Sequence, residues 1–261
     1  MIDSHIHLWG VEVAAAAWLA GDRTAPIRRP FELAEYAAAA GSGRCEVDGI
    51  DGVIVVTAEQ SAAETTRLVT SCAQETLVRG VVGWADLTGD IDAADLAGLV
   101  GIRHSVISEK PGWLRRPDVR AGITRYAESG LTLELLIAAR DLDDVPACAA
   151  EHPSLTIVID HLGDPNGASA PWRSRMRALA PYSNVRMKLS GDGVTPTALE
   201  VALDALGPGR LMIGSDWPVS SLRAPLDAEL STLIALIAPL SDAERASVLT
   251  GTAVDSYRLA A

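Results

Sequence analysis

Several ionisable residues stand at the ends of short apolar runs, where buried strands would end. His5 and His7 close the first run, and their i, i+2 spacing puts both imidazoles on one side of a strand, within reach of one metal ion. Asp216 follows the last such run and precedes Trp217. Because an unpaired buried charge is costly, we expect these groups to be liganded, paired or neutralised.

Three further runs carry a polar group. Glu134 interrupts the fifth run and either pairs with an arginine, ligates a metal or orients a catalytic residue. Lys188 lies in the seventh run of a chain with two lysines and twenty arginines, although a surface lysine is the alternative. Arg103 and His104 end the fourth run as a cationic pair suited to a carboxylate or a polarised carbonyl.

The sixth run ends in Asp160 and His161, which would face opposite sides of a strand. We expect His161 to point inward, and Asp160 to lie outside as a cap or in a salt bridge. His152, before a proline, is expected to be structural. Aromatic residues that could wall a pocket, or simply pack, are Trp84, Trp113 and Trp217.

The elements that must position these residues alternate along the chain. Nearly continuous apolar runs, each followed by turn residues and a helix-period stretch, are typical of βα units with a parallel sheet. Eight strands within 261 residues predict a (β/α)₈ TIM barrel of a single domain, residues 1–261, with an open doubly wound sheet as the alternative. The predicted strands are 1–7, 52–58, 78–85, 101–107, 131–137, 156–161, 185–190 and 210–215. The predicted helices are 62–76, 117–129, 142–151, 171–179, 196–206, 225–237 and 241–249, the last opening with a capping box.

The composition excludes some classes of partner. A net charge of −12 disfavours binding to nucleic acids and to anionic membranes. No apolar run approaches the roughly 20 residues of a transmembrane helix. The start of the chain lacks a signal-peptide pattern, and the three cysteines show no CxxC, so we expect a cytoplasmic protein with reduced thiols.

The chain resembles the amidohydrolase superfamily, specifically the amidohydrolase-2 branch that contains sugar-lactone and dicarboxylate-lactone hydrolases. The resemblance runs nearly end to end, and its segments have the family's order and spacing. They are 3–9, 80–87 (GVVGWADL), 101–104, 152–165 (HPSLTIVIDHLGDP), 188–191 (KLSG), 210–219 (RLMIGSDWPV) and 251–259 (GTAVDSYRL).

The resemblance implies a barrel with one or two divalent metals, held by the HxH of strand one and the aspartate of strand eight. His5, His7 and Asp216 occupy those positions, and that aspartate is also the general base of the family. His161 matches a histidine that contacts metal or substrate. Glu134 stands where the family usually has histidine. This favours one metal, held by these two histidines, the glutamate and the aspartate; Zn²⁺ is preferred over Mn²⁺, and a metal-free site is the alternative.

The expected function is hydrolysis of a small-molecule lactone, derived from a sugar or a dicarboxylate. Asp216 would accept the proton of the attacking water, and the residues expected to activate, position or enclose the substrate are His161, Lys188, Arg103, His104, Trp84 and Trp217. The alternatives are a metal-dependent decarboxylase of the same branch and a barrel that binds a metabolite without turnover. Residues 39–49 form an insertion that matches no pattern, and the oligomeric state is left open.

Overall fold

The computed structural model describes residues 1–41 and 49–260, and within them a parallel sheet of eight strands follows the chain order from β1 to β8. The strands are β1 Ile2–Ile6, β2 Gly52–Val56, β3 Val78–Gly83, β4 Gly101–Ser105, β5 Thr132–Leu136, β6 Ile157–Ile159, β7 Val185–Leu189 and β8 Leu211–Ile213. Each lies within a predicted run. The predicted insertion 39–49 falls largely on residues 42–48, which lie outside the described residues, as does Cys45.

The sheet closes between its first and last strands. The Asp216 amide donates to the carbonyl of His5 at 2.8 Å, and the His7 amide donates to the carbonyl of Trp217 at 2.7 Å. Gly214 permits this approach, because a Cβ there would lie 2.7 Å from the Cβ of His5. The predicted barrel is therefore confirmed.

The helices surround the barrel. Their bounds are α1 Val11–Ala14, α2 Leu33–Ala40, α3 Ala62–Cys72, α4 Pro117–Ala127, α5 Val145–Glu151, α6 Ala170–Ala178, α7 Pro196–Leu206, α8 Leu226–Ile237, α9 Asp242–Ala246 and α10 Thr252–Tyr257. The predicted helix 142–151 begins as the 3₁₀ segment Ala139–Asp144, and the predicted helix 241–249 ends in the π-turn Ser247–Gly251. The capping box between Ser241 and Glu244 is confirmed.

Two apolar clusters stabilise this arrangement. The larger one fills the space between the sheet and its helices. The smaller one combines alternate residues of several strands with two residues of α10, so the last helix packs onto the end of the barrel interior. Its buried members are Ile2, Ile54, Val56, Val82, Val158, Met212, Ala253 and Tyr257. Across the described chain, no helix is both long enough and apolar enough to cross a bilayer.

Candidate active site

A cavity of about 520 Å³ opens at the carboxyl ends of the strands. Active sites of barrel enzymes lie at this end, because the βα connections meet there. Residues from several of those connections line the cavity. They are His7, Trp18, Ala58, Glu59, Gln60, Arg103, Ser105, Ile107, Ser108, Leu136, Ile137, Asp160, His161, Asp164, Pro165, Gly191, Asp192, Gly193, Asp216 and Val219.

His5, His7 and Asp216 converge at the floor of this cavity. Oδ1 of Asp216 lies 3.8 Å from Nε2 of His5 and 3.6 Å from Nε2 of His7. The backbone pairing between β1 and the end of β8 produces this arrangement, since it holds residues 5–7 beside residues 216–217. The three donor atoms lie within 4.8 Å of one another, and all three residues are buried.

The two histidines fit a metal ion. Nδ1 of His7 lies 2.8 Å from the carbonyl oxygen of Val56, which assigns the ring proton to Nδ1 and leaves a lone pair on Nε2. Nε2 of His5 and Nε2 of His7 are 3.2 Å apart. Two ligands about 2.0–2.1 Å from a tetrahedral zinc ion would be separated by about 3.3 Å. The donor set and its spacing therefore suit one divalent cation.

Asp160 and His161 both face the cavity, so the expectation that Asp160 lies outside was wrong. Asp160 is fully buried, 3.4 Å from Nδ1 of His5 and 3.3 Å from Nζ of Lys188. The chain leaves the extended conformation after β6, and His161 adopts φ 52° and ψ 39°. This left-handed turn returns the imidazole to the cavity, where its Nε2 lies 3.9 Å from Oδ1 of Asp216.

Asp160 belongs to a second set of three donors, with His5 and His161. Ser190 fixes the ring of His161, with Oγ 2.8 Å from Nδ1. Gly191 leaves room for the same ring, since a Cβ at this φ of 73° would lie 2.9 Å from it. His161 is thus held on the one side and open to the cavity on the other.

Glu134 does not belong to the group of metal-ligand candidates formed by His5, His7 and Asp216, which corrects its expected place among the metal ligands. One carboxylate oxygen lies 2.7 Å from Nζ of Lys188, and the other accepts the hydroxyl of Tyr257. Both oxygens are therefore occupied inside the barrel. The alternative reading from the sequence, that Glu134 orients another residue, is the one the geometry favours.

Lys188 lies beneath the site and is fully buried. Its Nζ contacts Nδ1 of His5 at 3.1 Å, in addition to Glu134 and Asp160. It is absent from the cavity lining, so direct contact with a substrate, as expected from the sequence, is not supported. Lys188 therefore lies beneath His5, a candidate metal ligand.

Arg103 and His104 separate, because neighbouring residues of a strand face opposite sides. Arg103 lines the cavity, lies 3.5 Å from Asp160 and donates to the carbonyl of Thr57. His104 lies behind the wall, stacked on Trp113 with ring centroids 3.8 Å apart. The expected contribution of His104 to substrate binding is therefore wrong.

Trp84 and Trp217 are also absent from the cavity lining. Trp217 packs edge-on against the rings of Phe31 and Tyr36. Trp84 lines a separate cavity of about 400 Å³ beside α3. The expected substrate contacts of Trp84 and Trp217 are therefore corrected: both side chains lie outside the cavity. The sequence alone could not distinguish a packing tryptophan from one that lines a pocket.

The electrostatics of the floor follow from burial and close charges. Burial alone raises the pKa of Asp216, but the imidazoles of His161, His7 and His5 lower it to about 2. Burial lowers the pKa of His5 well below its ordinary value, and Lys188 lowers it further. At neutral pH Asp216 is thus an ionised acceptor and His5 a neutral imidazole.

Several residues of the cavity were missed by the sequence analysis. They lie in the connections rather than on strands, and include Trp18, Glu59, Gln60, Asp164 and Asp192. Their residue types are common on exposed loops, so no spacing pattern singles them out. Asp164 alone carried a signal, as part of the matched segment 152–165.

The chain belongs to the amidohydrolase family, whose model matches residues 2–259. An L-fucono-1,5-lactonase from Burkholderia multivorans is 31% identical, over 99% of this chain and 96% of that protein. A second L-fucono-1,5-lactonase, from Burkholderia ambifaria, is 31% identical over 85% of this chain and 81% of its own length. A crystal structure of an amidohydrolase from Burkholderia multivorans with bound zinc matches with a TM-score of 0.90 and 31% identity, covering 99% of both chains.

Proposed function

We propose that this protein hydrolyses a lactone, and that the substrate is a neutral sugar lactone. The observation that carries the proposal is the convergence of His5, His7 and Asp216 at the floor of the cavity at the carboxyl ends of the strands. Relatives at 31% identity over nearly the whole chain are L-fucono-1,5-lactonases, which supports the same class of reaction.

The charges of the cavity favour a sugar lactone over a dicarboxylate lactone. Among the described lining residues, Arg103 is the sole lysine or arginine, and it already contacts Asp160 and Thr57. The acidic lining residues Glu59, Asp164 and Asp192 would repel a carboxylate. Ionised carboxylates are good acceptors for hydroxyl groups, which a sugar lactone presents.

His5, His7 and Asp216 would hold one divalent cation, with Zn²⁺ preferred for its imidazole and carboxylate ligands and Mn²⁺ second. When bound, such a cation supplies Lewis-acid polarisation of the lactone carbonyl. His7 is already oriented for this by Val56, and His5 by Asp160, whose Oδ1 lies 3.4 Å from Nδ1 of His5.

Asp216 is the general base of the proposed reaction. Its carboxylate is ionised across the neutral range and accepts a proton as the water oxygen attacks the carbonyl carbon. The bond from that carbon to the ring oxygen then breaks, and the proton passes to the departing alkoxide. His161, 3.9 Å from Asp216, positions the substrate, and the Arg103 guanidinium faces the developing oxyanion.

Proton release tests the proposal, because the opened hydroxy acid ionises at neutral pH. We expect a panel of aldonolactones to release acid in a weakly buffered indicator assay, and dicarboxylate lactones to be poor substrates. Asp216→Asn serves as the matched inactive control. Acid release from dicarboxylate lactones alone would overturn the assigned substrate class.

Metal dependence is measured on the same sample. We expect about one zinc per chain, loss of activity after dialysis against a chelator, and recovery with Zn²⁺ or Mn²⁺. Activity that survives full removal of metal would contradict the metal assignment and leave Arg103 as the carbonyl-activating group. A decarboxylase would instead release CO₂ from an aromatic acid and give no acid from any lactone.

A further inference from the structure

Two large apolar side chains are exposed at the mouth of the cavity. Trp18 is 44% exposed and Ile107 is 41% exposed, and both line the cavity. Val11, at 71%, is the third exposed large hydrophobic among the described residues and is absent from the lining. Exposed apolar side chains at the mouth of a cavity are typical of a ligand-binding surface.

Trp18 rests on a rigid aromatic base. Its ring packs edge-to-face on Trp9, with centroids 5.8 Å apart. Trp9 is 1% exposed and forms a two-way backbone bridge with Phe31, at 3.1 and 2.9 Å. Phe31 in turn packs edge-on against Trp217 beside the end of β8. Although Trp18 lies in the connection after β1, its ring is therefore supported by buried aromatic side chains that pack against the barrel.

Trp18 also holds a carboxylate. Its indole N–H donates to Oε1 of Glu59, and within residues 1–41 and 49–260 it is the one donor to that carboxylate. The backbone of Glu59 is fixed separately, because its amide donates to buried Glu64 at 2.7 Å. Glu59 thus keeps free acceptor capacity at the cavity.

We propose that Trp18 is a specificity-determining residue on which the substrate ring stacks, while it holds Glu59 against a hydroxyl of that ring. This inference rests on the proposed function. A sugar lactone has an apolar face of C–H groups and an edge of hydroxyls, and Trp18 with Glu59 presents the matching pair of surfaces. Ile107 follows β4, three strands round the barrel from the connection that carries Trp18, and narrows the mouth from another side.

Steady-state kinetics of Trp18→Leu, Trp18→Phe and the control Val11→Ala test the role. Loss of the ring in Trp18→Leu should raise KM for an aldonolactone by about tenfold or more, with kcat changed by less than about threefold. Trp18→Phe, which keeps a ring but loses the N–H, should fall between. Val11→Ala changes an exposed apolar residue away from the cavity and should match the wild type.

A KM in Trp18→Leu that stays within about twofold of the wild type would overturn the stacking role. Equal thermal midpoints of the variants establish that folding is intact, as the half-exposed position of Trp18 leads us to expect. A KM increase shared with Val11→Ala would also contradict the proposal, since it would reflect a general change in the surface.

Fluorescence separates failure of this inference from failure of the proposed function. An aldonolactam, whose ring amide bond resists hydrolysis, is titrated into the wild type and into Trp18→Phe. We expect a saturable change of tryptophan emission that is lost in the variant. If the wild type opens no aldonolactone, the proposed function fails. A Trp18-dependent emission change would still support the stacking of a sugar ring on Trp18. The absence of that change overturns it.

Discussion

Asp216 is both a candidate metal ligand and the proposed base, and its surroundings suit both uses. Three imidazoles face its carboxylate and hold it ionised despite its burial. The positive φ of 59° turns the side chain back toward β1. Replacing the Asp216 carboxylate by a neutral group of the same shape would remove the negative charge beside the reacting atoms.

We therefore expect Asp216→Asn to lower kcat by about 10²–10⁴, the usual range for loss of an acid–base group. Asp192→Asn is the control, since it removes a carboxylate from the same cavity at its exposed rim. It should change KM and keep kcat within about threefold. Proton release measures both, and similar losses of kcat in the two variants would argue against a special role of Asp216.

Strand β4 shows how an element decides which residue meets the substrate. The alternation of the strand sends Arg103 to the cavity and His104 to the packing against Trp113. The same alternation in β6 sends Asp160 inward, beside Val158 of the interior cluster. His161 reaches the cavity by another route, the left-handed turn that follows the strand.

Paired variants of β4 test this division. Arg103→Gln should lower kcat/KM by about tenfold or more, because the one guanidinium among the described lining residues is lost. His104→Gln should keep kcat/KM within about threefold and lower the free energy of unfolding by about 1 kcal/mol, as its stack on Trp113 is lost. Kinetics and urea unfolding measure the two effects. The reverse pattern would place His104 at the substrate.

Helix α10 joins the other end of the barrel to the site. Tyr257 donates to Glu134, which contacts Lys188, which contacts His5. The matched segment 251–259 thus has a structural role that its sequence did not disclose. It closes a chain of buried polar contacts beneath a metal-ligand candidate.

Tyr257→Phe should lower the free energy of unfolding by about 1–3 kcal/mol, because a buried carboxylate oxygen of Glu134 loses its donor. Tyr182→Phe is the matched control, since the Tyr182 hydroxyl makes no hydrogen bond within the described part of the chain. Its effect should stay within about 0.5 kcal/mol. Equal losses in urea unfolding would show that the contact with Glu134 contributes nothing.

At the scale of the whole molecule, the buried charges make stability depend on pH. Burial raises the pKa of Glu134 from its ordinary value of 4.5 to about 7, against the opposing effect of Lys188. Between these two values the folded state holds a proton that the unfolded state has lost. The contribution of Glu134 is therefore full below pH 4.5 and is lost as the pH rises to about 7.

Glu134→Gln should remove this contribution, which is on the order of 3 kcal/mol across the interval. We expect its free energy of unfolding, measured by urea at pH 4.5 to 7.5, to fall less steeply with pH than that of the wild type. The difference in slope is the observable, because the variant also replaces the Glu134 oxygen that contacts Lys188, an effect that is present at every pH. Parallel curves would contradict the raised pKa.

The barrel itself follows from local information. Eight apolar runs, each bounded by turn residues, are enough to predict the strands, since strands buried on both faces cannot carry many polar groups. The polar residues that interrupt those runs were correspondingly visible, and His5, His7 and Asp216 are brought together as expected. Element ends were less predictable, as the split of helix 142–151 shows.

The tertiary structure decided which neighbours each polar residue meets. Glu134 pairs with Lys188 and Tyr257, partners 54 and 123 residues away along the chain, so its spacing could not reveal that both oxygens are occupied. Asp160 and His161 share the cavity because one backbone turn has positive φ, a conformation that residue type rarely dictates. The sequence by itself determined the barrel and the metal-ligand candidates at the carboxyl ends of its strands, because apolar periodicity and buried charge are local properties. The assignment of Trp18 and Glu59 to the cavity required the connections to be folded around it, since contact between distant loops depends on the closed sheet.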